Sequence, residues 1–368
     1  MKRKIKLHQG QSPGDIVVFS RAVVDLATQY PDYEIHVDTP CPAVFEANPH
    51  VNKASIKKPD IKPYADNLVK AGFDLHRIAT DYNGIFCEMV SRSELNAKKI
   101  KDKWYYEKDG LRLFSSKHNT IREPVEEFDV DYNDIHNSGW SGRHFSTAFY
   151  ISLEEKLGVP VKQTSLLPAL FISDEEKKWM NQVEETFGYR GKFWLINAGY
   201  KPDYPLKNWG IDNWQEVVNL LKDKIQFVQV GQVTDSHTHE TLKGVLDLRG
   251  KTDLRQLIRL SYHAEGALSP VSLLMHLMAG WEKPCVVVAG GREPRRWESY
   301  PHFRYLDTNG QLDCCKFDGC WLSGRQEAKE NKKCKNWVGN MPKCMAMIKP
   351  NQVVNEVLNY YYGGVLQF

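Results

Sequence analysis

The polar and apolar positions of the first forty residues change period twice. Ile5 to His8 alternate as a strand does, Gly10 to Gly14 make a turn rich in Gly and Pro, and helical spacing runs from Ile16 to Thr28. A second strand is expected at Glu34 to Asp38. Strand, Gly-bearing loop, helix and strand in this order predict a βαβ unit, and so a parallel sheet with a right-handed crossover. Between about residues 53 and 134 only short apolar runs stand out, Gly84 to Val90 and Leu111 to Phe114. Helical spacing returns over His144 to Leu157, stopped by Gly158 and Pro160, and one polar amphipathic helix is predicted around Asp174 to Arg190.

A second alternation starts at Phe193. Its strands are predicted at Phe193 to Ala198, Ile225 to Val230, Gly244 to Leu248, Glu265 to Leu268 and Pro284 to Ala289. Helices fit between them at Trp214 to Lys222, Asp253 to Ser261 and Val271 to Ala279, and a last helix at Asn351 to Tyr362. The pattern predicts an α/β chain of two doubly wound, Rossmann-like domains facing across a cleft, residues 1–185 and 186–368.

A length of 368 residues suits two cores, and 42% hydrophobic with 26% charged residues excludes a mostly disordered chain. The net charge of +3 argues for neither a nucleic-acid nor a membrane partner. No apolar stretch of signal-peptide or membrane-spanning length occurs, so the expected location is cytoplasmic. Of eight cysteines, Cys314, Cys315, Cys320, Cys334 and Cys344 crowd one polar segment. In a reducing compartment such crowding suggests a metal more than disulfides. Cys315, Cys320, Cys334 and Cys344, with Cys314 as alternative to Cys315, are expected to hold one structural zinc or iron in a small insertion over residues 313–345. Inert thiols are the rival reading, and the nearby Arg325, Lys329, Lys332, Lys333 and Lys335 read as a solvated face.

Candidate chemistry gathers at the carboxyl ends of the strands. Asp15, in Ser12-Pro13-Gly14-Asp15, either points into the cleft or caps the first helix. Lys207, in Tyr204-Pro205-Leu206-Lys207-Asn208-Trp209, either reaches a diphosphate or is solvated. Gly231 and Gln232 end a strand where backbone can approach a ligand, or merely turn. Ser269 as N-cap and Pro270 at the first helical position mark a helix start, an anion site to which Ser269 and Ser272 add hydroxyls. His276, one turn on, is either a ligand to the donor or a packed histidine. After Gly290-Gly291, Arg292 offers a phosphate partner and Glu293 a hydroxyl acceptor, unless the two form a surface ion pair.

Together these residues resemble glycosyltransferase family 9, the ADP-heptose lipopolysaccharide heptosyltransferases and their relatives of GT-B architecture. The resemblance rests on Gly14-Asp15, Tyr30-Pro31, Asn48-Pro49-His50-Val51, Lys207-Asn208-Trp209, Val230-Gly231, Gly250-Lys251-Thr252 and Met275-His276. It implies an acceptor-side first domain and a nucleotide-sugar-binding second domain, Asp15 as general base of an inverting transfer, Lys207 on the donor phosphates, and no catalytic metal. The cysteine-rich tail is similar to the iron finger of autotransporter heptosyltransferases, at a different spacing. Where the family carries Asp-Thr-Gly this chain has Val271-Ser272-Leu273, so the transferred sugar is left open among hexose, heptose and pentose. The acceptor is left open among saccharide, protein and modified DNA base. A nucleotide-sugar epimerase and a non-catalytic nucleotide-sugar-binding protein are the alternatives.

Overall fold

A computed structural model describes residues 3–52, 125–132, 142–202, 205–234, 237–322 and 333–361, together with the backbone of five strands between residues 75 and 114. The chain opens with β1 (Arg3–His8), α1 (Pro13–Gln29) and β2 (Tyr33–Asp38); β1 lies between β2 and β8 (Glu126–Asp129), parallel to both. Ser12 and Asp15 form a capping box at the start of α1, Pro13 takes the first helical position, and Ile16, Phe19, Val23 and Leu26 bury one face. The short apolar runs of the obscure stretch fall in antiparallel units. β3 (Leu75–Asp81) pairs with β4 (Gly84–Met89), and β6 (Lys103–Lys108) lies between β5 (Asn96–Ile100) and β7 (Leu111–Phe114).

After α2 (Ser146–Leu157), the single helix expected around Asp174 to Arg190 is two, α3 (Asp174–Lys178) and α4 (Gln182–Phe187). Asn181 is the reason: its side chain accepts from the Val183 and Glu184 N–H groups at 3.0 and 3.1 Å, starting a new helix instead of continuing the old one.

The second sheet has six strands, all parallel, in the order β11-β10-β9-β12-β13-β14. They are β9 (Phe193–Ile196), β10 (Gln226–Gln229), β11 (Leu246–Asp247), β12 (Gly266–Pro270), β13 (Cys285–Gly290) and β14 (Arg304–Asp307), the last not foreseen. Numbered within this half the order is 3-2-1-4-5-6, the doubly wound arrangement. β9, β12 and β13 are buried along their whole length, which explains the apolar character of β9 and β13. Its helices are α5 (Ile211–Leu221), α6 (Leu254–His263), α7 (Leu273–Gly280), α8 (Arg295–Glu298), α9 (Lys343–Ala346) and α10 (Pro350–Tyr361), with β15 (Trp337–Val338) and β16 (Met341–Pro342) pairing before α9.

The two halves share buried surface. Ile258, Leu277 and Trp297 belong to the apolar cluster built on α1 and β1, and Phe145 donates its N–H to the Trp297 carbonyl at 3.0 Å. Arg255 ties them again: its guanidinium grips both Glu176 oxygens, at 2.7 and 2.5 Å, and donates to the Ala43 and Phe171 carbonyls. Among the described residues no helix is long and apolar enough to cross a membrane.

Candidate active site

Ligand crevices of doubly wound sheets open where the strand order reverses, here between β9 and β12. Asn197, just after β9, donates from Nδ2 to Ser272 Oγ at 3.2 Å, and Ser272 and Ser269 share a 2.8 Å hydroxyl hydrogen bond. The helix start lies further on than expected, with Ser272 rather than Ser269 as N-cap. Ser269 and Pro270 are instead held in register with Val287 and Val288 of β13, which keeps both extended. The Ser272 side chain makes no capping bond to α7.

The first turn of α1 abuts that head. A Cβ on Gly14 would lie 3.0 Å from His276 Cδ2 and 3.7 Å from Leu273 Cα, so only glycine allows this approach without displacement. Asp15 follows. The capping reading holds in a modified form, since Ser12 is the N-cap and donates its N–H to Asp15 Oδ2 at 3.1 Å. Burial pushes the Asp15 carboxyl above its ordinary value, although hydrogen bonds from Tyr132 and Ser12 and the charge of Lys207 oppose it.

Lys207 ends a 3-10 turn, Pro205–Lys207, with Nζ 3.2 Å from Glu293 Oε1, the oxygen that also takes the Arg292 guanidinium. Arg292 and Glu293 are therefore no surface pair, because Glu293 is 3% exposed. Burial works to raise its carboxyl, but Arg292 and Lys207 outweigh it and hold Glu293 below the usual range. Its Oε2 has no hydrogen-bond partner among the described residues.

Sequence reasoning missed Glu298. The run Arg295-Arg296-Trp297-Glu298 reads as a charged surface turn, yet Trp297 and Glu298 face inward from α8. Burial, then the charges of Glu293 and Asp15, push Glu298 up to about 8 against the pull of Lys207 and Arg292. Its Oε1 is 3.6 Å from His276 Nε2, and His276 Nδ1 shares a 2.9 Å hydrogen bond with the Tyr300 hydroxyl. Burial, with the charges of His144 and Lys207, drives His276 down to about 3. At neutral pH the His276–Glu298 contact is thus between two neutral groups. His276 packs behind the crevice, its ring against Phe145 and Tyr300.

Gly231 lies just past the end of β10, against the His239 ring. It has φ +150°, and a Cβ there, or on Gly199, would lie 2.1 Å from the His239 ring, which fills the slot between the two strand ends. Gln232 is exposed just beyond.

The cysteine segment leans on the same loop. Cys314, Cys320, Cys334 and Cys344 line one cavity with Gly291, Arg292 and Leu206. Cys315 does not: it is 1% exposed and its thiol donates to the Thr308 carbonyl. The quartet shares a cavity rather than a coordination sphere, for among the described residues no three His, Cys, Asp or Glu side chains are drawn together tightly enough to hold a metal. Arg325, Lys329 and Lys332 lie outside the described residues.

With this geometry in view the comparisons are direct. Residues 149–310 match the model of glycosyltransferase family 9 (heptosyltransferase). The matched segment, under half of the chain, holds Lys207, the head of α7 and the Arg292–Glu293 pair, and the match supports a nucleotide-sugar glycosyltransferase function. The fold agrees over nearly the whole length. The glycosyl transferase family 9 from Veillonella parvula superposes with TM-score 0.57 at 13% identity, covering 98% of this chain and 97% of that one. The ADP-heptose lipopolysaccharide heptosyltransferase II of E. coli gives TM-score 0.54 at 14% identity over 97% and 98%. TibC of enterotoxigenic E. coli, a dodecameric iron-containing glycosyltransferase, gives TM-score 0.58 at 13% identity over 99% of this chain and 77% of its own. No curated protein sequence matches the chain. Neither the epimerase nor the non-catalytic reading is favoured by these matches.

Proposed function

We propose that the chain transfers a sugar, with inversion, from a nucleoside-diphosphate sugar to an acceptor hydroxyl, using Asp15 as general base. The observation that carries this reading is the meeting of Asp15, from the first half, with the charge of Lys207, from the second, in one partly dehydrated cluster. Residues 1–185 supply the acceptor side and residues 186–368 the donor side. The acceptor oxygen bonds to the anomeric carbon as Asp15 takes its proton, and the bond from that carbon to the diphosphate breaks. Lys207, Arg292 and the head of α7 receive the negative charge of the leaving diphosphate. A diphosphate competes with Glu293 for Lys207 and Arg292, and Glu293 then turns its free Oε2 to a ribose or sugar hydroxyl. Ser269, Ser272 and Asn197 line the crevice beside the phosphates, and Gly231 and Gln232 border its outer end.

Cys314, Cys320, Cys334 and Cys344 would hold one zinc or iron if their thiols close in from the cavity walls. Four thiols face one cavity, and backbone N–H groups of Gly291 and Met345 bond the Cys344 sulfur while that of Leu322 bonds Cys320. Burial raises the Cys320 and Cys344 thiols above their ordinary range and these bonds oppose it, so a bound cation is what would bring out the thiolates. The ion would cross-link the segment. The described cysteines are unpaired, which suits the reducing cytoplasm where we place the protein.

Product analysis on a panel of nucleotide sugars, with ADP-sugars included because WaaC of E. coli is known with ADP-2-deoxy-2-fluoro heptose, tests the reading. Released nucleoside diphosphate with inverted, transferred sugar is expected. An epimerised donor, or retention at the anomeric carbon, contradicts it.

A further inference from the structure

The last turn before the cysteine cavity does more than close it. Cys320 donates its N–H to the Gly291 carbonyl at 2.9 Å, and Trp321 donates to the Arg292 carbonyl at 3.4 Å. Arg292 Nε returns a hydrogen bond to the Leu322 carbonyl at 3.0 Å, and its guanidinium lies 5.7 Å from the centre of the Trp321 ring. Gly319, at φ +82°, lets the segment lie on the Arg292 carbonyl, which a Cβ would approach to 2.5 Å. Trp321 itself has φ +51°, a conformation that costs a bulky residue energy and persists only where surroundings impose it. Those surroundings are visible: the indole Nε1 donates to the Asp318 carbonyl at 3.0 Å, and the ring meets Trp297 edge-on at 5.6 Å, one residue before Glu298.

We propose that Trp321 is a positioning residue for the donor phosphates, fixing Arg292 through its ring and backbone so that the cysteine-lined segment sets the geometry of the Lys207–Glu293–Arg292 cluster. The inference rests on the phosphate role given above to Lys207 and Arg292. A ring under the guanidinium restricts its rotamers without taking its hydrogen-bonding edge.

The test is calorimetric binding of inorganic pyrophosphate to the full chain and to the variants Lys207→Ala, Arg292→Ala, Trp321→Leu, Trp321→Phe and the double variant Arg292→Ala/Trp321→Leu, with metal content and melting temperature recorded for each. Lys207→Ala and Arg292→Ala are each expected to weaken binding by about tenfold. Trp321→Leu should weaken it about three- to tenfold, with Trp321→Phe restoring part of the loss. Because Trp321 acts through Arg292, the double variant should bind no worse than Arg292→Ala alone. Pyrophosphate binding that ignores both Lys207→Ala and Arg292→Ala overturns the site reading and this inference with it. If those two weaken binding but Trp321→Leu does not, or if the Trp321 loss adds fully to that of Arg292→Ala, the positioning role alone is overturned.

Discussion

Glu298 shows how much one environment changes one side chain. Its carboxyl titrates near 8 in the folded chain against an ordinary 4.5, chiefly because it is buried and then because Glu293 and Asp15 face it. The folded state therefore keeps a proton that the unfolded state releases between those pH values. Stability from this group is complete below about 4.5 and is lost as pH rises through about 8. Replacing Glu298 by Gln removes the titration, so the variant should melt above the parent at pH 9, by about 2 °C or more, and the gap should narrow at pH 6. Melting curves at the two pH values check this; a pH-independent gap would mean that Glu298 carries no such burial. Little of this was legible locally, since beside the nearby Glu293 what makes Glu298 unusual comes from Asp15 of α1 and from α7, remote in sequence. The placing of Asp15 and Lys207, by contrast, was legible locally, because each follows the first strand of a parallel sheet, where ligands gather.

Among the elements, those whose own sequence settles them were foreseen and those settled by partners were not. α6 begins where Asp253 and Gln256 form a capping box, with the Gln256 N–H to Asp253 Oδ1 distance at 2.7 Å, and its start was foreseen to within a residue. The start of α7 was misplaced because Ser269-Pro270 satisfies every local rule for a cap, while pairing with β13 overrides it. The break at Asn181 and the short β14 gave way for related reasons, a competing side chain in one case and pairing at the sheet edge in the other. The segment over residues 313–322 is ordered by contact with the Gly291–Arg292 backbone, and Gly319 is where they touch. Gly319→Ala should cost about 1–3 kcal/mol, since its new Cβ meets backbone and its φ suits glycine. Urea unfolding measures this, and a variant as stable as the parent would show that the segment does not rest on the loop.

Two features bear on the whole molecule, the first within its second half and the other between the halves. One is the metal. Protein purified without chelator is expected to carry about one zinc or iron per chain, and Cys334→Ser to lose it and melt earlier, while Cys315→Ser keeps it. Elemental analysis decides, and loss of metal in Cys315→Ser with retention in a Cys314→Ser counterpart would restore the quartet first read from the sequence. The other is the cleft. The α/β pattern foretold a doubly wound second half and a crevice at its strand ends, but not that α1 would meet α7 at Gly14 and His276, nor that Arg255 would tie both halves; such packing has no periodicity to read.

The cleft account stands most directly on Asp15, whose carboxyl both receives the Ser12 N–H and faces the Lys207 charge. Asn at this position keeps an oxygen for Ser12, so the helix start survives, but it accepts no proton. Steady-state turnover of Asp15→Asn, measured beside its melting temperature and its affinity for the donor diphosphate, is the deciding measurement. The account predicts a stable protein with near-parental affinity and turnover lower by about 10²-fold or more. Near-parental turnover in that stable variant would contradict it and remove Asp15 from the reaction.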